Sequence, residues 1–138
     1  DFLQADQVMT PRPECLSGSL SIEDTIAFFT HTARHRSYPV IDAEGRLLGL
    51  VSRSDVLQWQ VSGPPQAASL AETLSDASQP VGLTSTPIGE IADLMVDSGV
   101  PRIPILDPKN GRVVGMLSRQ DLLKARKAHT HVETVRSR

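Results

Sequence analysis

The sequence predicts an α+β fold made of two β-α-β-β-α units packed with pseudo-twofold symmetry. The first observation behind this prediction is an internal repeat, because residues 37–57 align with residues 102–123 in order and in chemistry. Pro39 and Pro104 are 65 positions apart, and one extra residue in the second copy makes the offset 66 beyond it. The second observation is that helical spacing of apolar residues alternates with short runs rich in Val and Ile in each copy.

Composition indicates a folded protein of modest size. The chain has 138 residues, of which 39% are hydrophobic and 22% charged, and its net charge is −2. That length suits one domain or two small units that share a core. The near-neutral charge argues against a nucleic-acid partner, since such proteins usually carry a basic face. No apolar stretch is long enough to cross a bilayer, so direct membrane insertion is not expected.

The cysteine count and the start of the chain suggest a cellular setting. Cys15 is the single cysteine and cannot form an internal disulfide, which argues against a secreted, disulfide-stabilised scaffold. No signal peptide is recognisable, so a cytoplasmic location is predicted. The sequence starts at Asp1, and we therefore expect it to be a piece of a longer parent protein, which can itself be membrane-embedded.

The first repeat is predicted as strand, helix, strand, strand and helix. A short strand near Leu16 precedes the first helix, and the runs 38–41 and 46–51 are strands joined by a turn. Ser52 then caps a helix that runs through Trp59. The apolar positions that define the first helix are Ile22, Ile26, Phe29 and Ala33.

The second repeat follows the same order. A short strand near Gly82 precedes a helix, and the runs 103–106 and 112–117 are strands joined by a turn that contains an Asn-Gly pair. Ser118 caps a last helix that is predicted to extend beyond Ala125. The apolar positions of the first helix here are Ile88, Ile91, Ala92, Met95 and Val96, with Ile91 aligned to Ile26.

These elements give the domain boundaries. Repeat 1 is predicted over 1–60, a linker over 61–73, repeat 2 over 74–127 and a polar tail over 128–138. A unit of about 60 residues buries only about 60% of its unfolded surface, so the two repeats are expected to pack together. A groove is predicted where the two copies meet.

One motif occurs at the same place in both repeats, where the second long strand passes into the last helix. It reads Gly, two apolar residues, Ser, two variable residues and Asp, over 49–55 and 115–121. One interpretation is a capping box, in which Ser and Asp bond reciprocally to free backbone amides. The other is a ligand site, in which the helix N-terminus holds phosphate and the Asp carboxylate accepts both hydroxyls of a ribose. A ligand can displace a cap, so both interpretations stay open.

Together these features resemble the cystathionine-β-synthase (CBS) domain, in the tandem arrangement called a Bateman module. The resemblance covers nearly the whole chain. Its matching features are the opening Val8-Met9-Thr10-Pro11, the strands 38–42 and 103–107, the turns at Gly45 and Gly111, and both copies of the Ser-x-x-Asp motif.

The resemblance implies a regulatory module that binds an adenine nucleotide (ATP, ADP or AMP) in the groove between the repeats, with no other cofactor required. Asp55 and Asp121 would hold ribose hydroxyls, and Ser52 and Ser118 would lie beside ribose or phosphate. Residues at the starts of the strands would flank the adenine, and Arg102 would contact phosphate. The full set of implied nucleotide-binding residues is Tyr38, Pro39, Ser52, Arg53, Asp55, Arg102, Ile103, Pro104, Ser118, Arg119 and Asp121.

The two repeats differ in their basic residues, which makes equal occupancy of two sites uncertain. Ser37 stands opposite Arg102, and Arg36 is one position away. Arg53 and Arg119 lie just inside a helix N-terminus, where a positive charge opposes the helix dipole. A bound anion would relieve this, and the alternative is that both guanidinium groups point into solvent.

The resemblance leaves several alternatives for function. The basic last helix and tail resemble the C-terminal cytoplasmic domain of bacterial ClC-type chloride channels, so ion transport is the first expectation for the parent. A sensor of S-adenosylmethionine attached to another enzyme or transporter is an alternative. A structural dimerisation module without ligand is another, since homodimerisation is expected from the family.

No catalytic arrangement is evident, and the chain is predicted not to be an enzyme. His31 and His35 are four residues apart on a predicted helix, but nothing completes a metal site around them. His129 and His131 lie in the polar tail. Trp59 is expected to pack on the linker or between modules, and Cys15 to be a small buried residue.

Overall fold

The computed structural model describes residues 3–75 and 79–126. In chain order the elements are α1 (Ala5–Val8), β1 (Thr10–Pro11), β2 (Leu16–Ser17), α2 (Ile22–His31), β3 (Ser37–Ile41), β4 (Leu47–Ser52), α3 (Arg53–Ser62), a 3₁₀ turn (Leu70–Thr73), β5 (Gly82–Leu83), α4 (Ile88–Ser98), β6 (Arg102–Leu106), β7 (Val113–Ser118) and α5 (119–126). The α+β class and the order β-α-β-β-α in each repeat are confirmed.

The chain divides into two compact units. Among the described residues, the repeat-1 unit contains 14–75, 79 and 110–113. The repeat-2 unit contains 3–13, 80–109 and 114–126. The N-terminal segment therefore belongs with repeat 2 in space, although it precedes repeat 1 in sequence. The sequence-based boundaries at 60, 73 and 127 stay a prediction.

The repeat-1 unit has a three-stranded sheet in the order β2-β3-β4. β2 is parallel to β3, and β3 is antiparallel to β4 with Tyr38 opposite Val51. The three central residues of β3 are buried, as its run of apolar residues favours. Its core consists of Leu16, Phe29, Tyr38, Val40, Val51, Val56 and Leu70.

The repeat-2 unit has a four-stranded sheet in the order β1-β7-β6-β5. β5 is parallel to β6, and β1 is antiparallel to β7 with Thr10 opposite Met116. The centre of β6 is buried in the same pattern as that of β3. The core consists of Ala5, Ile91, Met95, Ile103, Ile105 and Leu117.

A glycine in each repeat allows a preceding segment to lie against the sheet. A Cβ atom at Gly115 would collide with the side chain of Met9. A Cβ atom at Gly49 would lie 3.1 Å from Cδ1 of Leu74. Met9 and Leu74 are 65 positions apart, so the segments before the two repeats have equivalent places although their sequences are only weakly similar. The first Gly of each motif is thus required for close approach.

The structure corrects the sequence alignment of the first helices of the two repeats, α2 and α4. Thr25 and Phe29 are buried in α2, four and eight residues after the N-cap Ser21. Ile91 and Met95 are buried in α4, four and eight residues after the N-cap Pro87. Thr25 is therefore the counterpart of Ile91, and pairing Ile26 with Ile91 was wrong by one residue.

Two further details of the helices differ from expectation. α2 ends at His31, so Ala33 lies beyond the helix, although it still packs against the core. Val96 was assigned to the apolar face of α4, but its side chain is 80% exposed. The 3₁₀ turn at Leu70–Thr73 lies within the predicted linker. The predicted tail over 128–138 lies outside the described residues.

Candidate functional site

The Ser-x-x-Asp motif of repeat 1 forms a reciprocal capping box at the start of α3. Ser52 Oγ accepts a hydrogen bond from the Asp55 backbone N–H at 3.1 Å. Asp55 Oδ2 accepts one from the Ser52 backbone N–H at 2.8 Å. Both donors would otherwise be unpaired, because a helix leaves its first N–H groups without partners.

The motif of repeat 2 has the same geometry at the start of α5. Asp121 donates its backbone N–H to Ser118 Oγ at 3.1 Å, and Asp121 Oδ2 accepts the Ser118 N–H at 2.9 Å. The backbone N–H of the residue after the capping Ser also donates to a backbone carbonyl in both repeats. Arg53 N–H donates to the Arg36 carbonyl at 2.7 Å, and Arg119 N–H donates to the Pro101 carbonyl at 3.2 Å. The capping interpretation is confirmed in both copies.

The caps leave part of each carboxylate available. Within residues 3–75 and 79–126, the Oδ1 atoms of Asp55 and Asp121 make no hydrogen bond to the protein. Asp55 is exposed and Asp121 is half-buried, so both can be reached from solvent. An ionised carboxylate has about four acceptor positions. A capping carboxylate can therefore still accept hydroxyl groups from a ligand.

The two motif arginines have different environments. Arg53 extends back to α2, where Nη1 donates to the Phe29 carbonyl at 3.1 Å and Nη2 to the Ala33 carbonyl at 3.4 Å. Its guanidinium carbon also lies 5.8 Å from the centroid of the Phe29 ring. Arg119 has no such bonds within the described residues and lines a groove beside α4. Arg53 therefore stabilises the end of α2.

Tyr38 is part of the core. Its side chain is fully buried, and its hydroxyl oxygen accepts hydrogen bonds from the N–H groups of Arg34 at 2.7 Å and His35 at 3.1 Å. Its ring makes edge contacts with Phe28 and Phe29 at centroid distances of 4.9 and 5.7 Å. The structure thus gives Tyr38 a packing role, and its place beside an adenine ring stays a prediction.

The other predicted strand residues are also enclosed. Pro39, Ile103 and Pro104 are fully buried. Arg102 begins β6 and is half-buried. Of the predicted site residues, the structure therefore brings together Ser52 with Asp55, and Ser118 with Asp121. The predicted strand residues are buried or half-buried within the two sheets.

The remaining candidates have structural places. His31 is the last residue of α2 and His35 lies beyond it, so they do not share a helix face as predicted. No cluster of three His, Cys, Asp or Glu side chains that could hold a metal occurs in the described part of the chain. Trp59 is half-buried and packs against the core of its own repeat, which includes Leu70 of the predicted linker. His129 and His131 lie outside the described residues.

Cys15 is half-buried immediately before β2. Burial raises the pKa of its thiol, and the nearby Glu14 carboxylate raises it further. The thiol therefore stays protonated at neutral pH, which suits a packing role better than a nucleophilic one.

The chain belongs to the CBS domain family. The family's sequence model matches residues 5–62 and 83–128, which are the two repeats. One relative is YtoI of Bacillus subtilis, 29% identical over 91 residues, covering 66% of this chain and 19% of that protein. Another is the A-adding tRNA nucleotidyltransferase of Aquifex aeolicus, 26% identical over 128 residues, covering 89% of this chain and 14% of that protein. The chain thus spans less than a fifth of these two relatives.

Solved structures of CBS pairs share the fold. CBSX2 of Arabidopsis thaliana in complex with AMP has a TM-score of 0.75 and 25% identity, covering 92% of this chain and 98% of its own. CbpB in complex with c-di-AMP has a TM-score of 0.79 and 19% identity, covering 98% and 91%. The pair from MJ0100, with 5-methylthioadenosine and S-adenosyl-L-methionine, has a TM-score of 0.68 and 18% identity, covering 94% and 99%. Adenosine compounds are common to all three.

None of the helices within the described ranges has the length and apolar character needed to cross a membrane.

We predict that the caps contribute to stability independently of any ligand. Replacing Asp55 or Asp121 with Ala leaves the Ser N–H unpaired, and each change should lower the free energy of unfolding by about 1 kcal/mol. The two caps share no residue, so the double variant should lose about twice as much. Urea unfolding followed by circular dichroism measures this.

The matched control is Asp→Asn at the same positions. The amide oxygen can still accept the Ser N–H, so Asn variants should lose much less stability than Ala variants. Equal losses for Asn and Ala would contradict the hydrogen-bonding role.

Proposed function

We propose that this chain is a regulatory module that binds an adenine nucleotide through the Ser-x-x-Asp motifs. The observation that carries the proposal is the unused Oδ1 atom of Asp55 and Asp121, at a helix N-terminus with an adjacent Ser hydroxyl. A carboxylate of this kind suits the two hydroxyls of a ribose. The AMP, c-di-AMP and S-adenosylmethionine complexes of related folds support adenosine as the shared part of the ligand. The position of the ligand between the repeats, which the resemblance implies, stays a prediction.

The phosphate preference rests on Arg102. It is the basic residue at the start of β6, whereas the first residue of β3 is Ser37. Arg53 already donates to two backbone carbonyls, so we do not assign a phosphate to it. The second repeat is therefore proposed to select AMP, ADP or ATP over S-adenosylmethionine, which has a cationic sulfonium and no phosphate at the ribose 5′ position.

The test is calorimetric titration of the chain with AMP, ADP, ATP and S-adenosylmethionine. We expect saturable binding of at least one nucleotide, with affinity reduced about tenfold or more in the Asp121→Asn variant. Asn keeps the cap but loses acceptor capacity, so this change separates ligand binding from folding. Arg102→Gln should weaken nucleotides and leave S-adenosylmethionine unchanged.

Asp97→Asn is the control, since Asp97 is an exposed carboxylate on α4 with the same charge change. It should bind as the unaltered chain does. Failure of all four ligands to bind, or equal binding by the Asp121→Asn and Asp97→Asn variants, would contradict the proposal and leave the motifs as caps only.

A structural dimer is the second candidate function. Leu57 and Val61 lie four residues apart on α3, with exposed fractions of 55% and 83%, so they form an apolar stripe on one helix face. We propose that this stripe forms the homodimer contact.

Sedimentation equilibrium tests the dimer. The chain should associate, and Val61→Glu should shift it to monomer because a charge would be buried at the contact. The matched change Gln60→Glu, one position away on the same helix, should have little effect. A monomeric chain at high concentration would contradict this contact.

The proposed role is to bias an attached protein by binding ligand more tightly in one of its states. The short span of the chain relative to its relatives suits a module within a larger protein. A chloride-channel or other ion-transport parent, with this module on the cytoplasmic side, stays a prediction.

A further inference from the structure

The turn between β6 and β7 is one residue longer than the turn between β3 and β4. In the shorter turn every backbone N–H from Glu44 to Arg46 is bonded to Asp42. Asp42 Oδ1 accepts the N–H groups of Glu44 and Arg46, each at 2.9 Å. The Asp42 carbonyl accepts the Gly45 N–H at 3.0 Å.

In the longer turn the extra residue changes these bonds. Asp107 Oδ1 accepts the N–H of Lys109 at 2.8 Å, and the Arg112 N–H donates to Asn110 Oδ1 at 3.0 Å. The Gly111 N–H has no hydrogen bond to the part of the chain that the structure describes, although its counterpart in repeat 1 is bonded. The longer turn therefore leaves a backbone nitrogen free directly after an exposed asparagine.

Asn110 and Gly111 thus meet the chemical requirements for attack of a backbone nitrogen on a side-chain amide carbon. Glycine has no Cβ atom to obstruct this approach. The two groups belong to consecutive residues, so the attack closes a small ring and needs no encounter. The Arg112 N–H is already bonded to the amide oxygen, and it would stabilise the negative charge that develops there during the attack.

We propose that Asn110 is a site of spontaneous deamidation through attack by the Gly111 nitrogen. The Gly111 nitrogen loses its proton to solvent and bonds to Asn110 Cγ. The bond between Cγ and the side-chain nitrogen then breaks, and that nitrogen takes up a proton from water and leaves as ammonia. Water opens the resulting succinimide at either carbonyl and gives aspartate or isoaspartate. Water is consumed and ammonia is released, so no oxidant or reductant is needed. This modification does not depend on the nucleotide proposal.

The aspartate product would complete an ion pair that repeat 1 already has. Asn110 is 66 positions after Glu44, and Arg112 is 66 positions after Arg46. Glu44 Oε2 lies 3.4 Å from Arg46 Nη2. The Arg112 side chain forms no ion pair within the described residues. A carboxylate at position 110 therefore gives the longer turn the charge arrangement of the shorter one.

The isoaspartate product would act differently, because it adds one atom to the main chain. The added atom comes before Arg112 and Val113, which contact the shorter turn. Val113 N–H donates to the Gly45 carbonyl at 3.0 Å, and a Cβ atom at Gly45 would lie 3.1 Å from Arg112 Nε. We expect the longer main chain to break this contact. Deamidation would thus slowly change how residues 110–113 join the repeat-1 unit.

The test is incubation of the folded chain at neutral pH, followed by mass spectrometry. Asn110 is the single asparagine, so a mass increase of about 1 Da indicates the change and peptide mapping locates it. Enzymatic methylation specific for isoaspartate distinguishes the two products. The reference is a synthetic peptide of residues 104–116, which has the same Asn-Gly pair without the fold. We expect the folded chain to deamidate at least as fast as this peptide.

Deletion of Lys109 tests the hydrogen bonds while the Asn-Gly pair is unchanged. The turn then has the length of the shorter one, so Asp107 should bond to the N–H groups of Gly111 and Arg112. Deamidation of the folded variant should slow about tenfold or more, because the nitrogen is held and the amide oxygen loses its donor. Peptides with and without Lys109 are the matched control and should differ much less. Asn110→Gln should show no mass increase over the same period, since its side chain would have to close a larger ring.

Hydrogen exchange measures the structural consequence. In the isoaspartate form, separated by ion-exchange chromatography, the Val113 amide should exchange about tenfold or more faster than in the unmodified chain. The Asn110→Asp variant should keep the slow exchange, because its main chain has the ordinary length.

Two results would overturn the proposed site. The first is deamidation of the folded chain that is slower than that of the peptide, because the fold would then protect Asn110. The second is an unchanged rate after deletion of Lys109, because the hydrogen bonds of the turn would then have no part in the reaction. Unchanged exchange of the Val113 amide in the isoaspartate form would contradict the proposed structural effect.

Discussion

The reciprocal bond between Ser and Asp at the end of each repeat's longest strand is the constraint on which the rest of the structure depends. Ser52 and Ser118 are the last residues of β4 and β7, and the helices begin at the next residue. The bond pairs two amides that helix formation would otherwise leave unpaired. It therefore sets the point at which extended backbone changes to helix and fixes the Asp carboxylate at the surface.

A cap of this kind has a consequence for function. It uses one oxygen of each Asp, and the other makes no hydrogen bond within the described residues. Folding and ligand binding thus depend on the same side chain through different atoms. The Asn substitution separates these roles, since it retains an acceptor for the cap. A sequence motif that is explained completely by capping is therefore not excluded from ligand binding.

The two repeats share backbone geometry and differ in what their side chains occupy. In repeat 1 Arg53 bonds to α2, Trp59 packs on the core and Tyr38 joins an aromatic cluster. In repeat 2 the corresponding positions are Arg119, Ala125 and Ile103. In repeat 2, Arg119 and Ala125 line a groove beside α4. The two repeats therefore have the same order of strands and helices, and they differ in the side chains at these three positions.

Local patterns predicted the fold and the caps because both depend on residues close in sequence. Turn residues, proline-bounded runs and Ser-x-x-Asp spacing placed all five elements of each repeat. Periodicity was less precise in α2, where Thr25 is fully buried because its hydroxyl donates to the Ser21 carbonyl at 2.8 Å. Periodicity that counts Thr as polar assigns Ile26, and not Thr25, to the buried position that matches Ile91. The side-chain partners of Arg53 are 20 and 24 residues away, so they could not be inferred from local patterns.

The most direct test of this account is amide NMR of the nitrogen-15-labelled chain during titration with AMP. If ligand hydroxyls bind the capping carboxylates, the amide resonances of Ser52, Asp55, Ser118 and Asp121 should include the largest shifts, because their N–H groups are bonded within the motif. The shifts should saturate, and Asp→Asn at either motif should remove those of its own repeat. Shifts confined to other residues, with all four motif amides unchanged at saturation, would contradict the account.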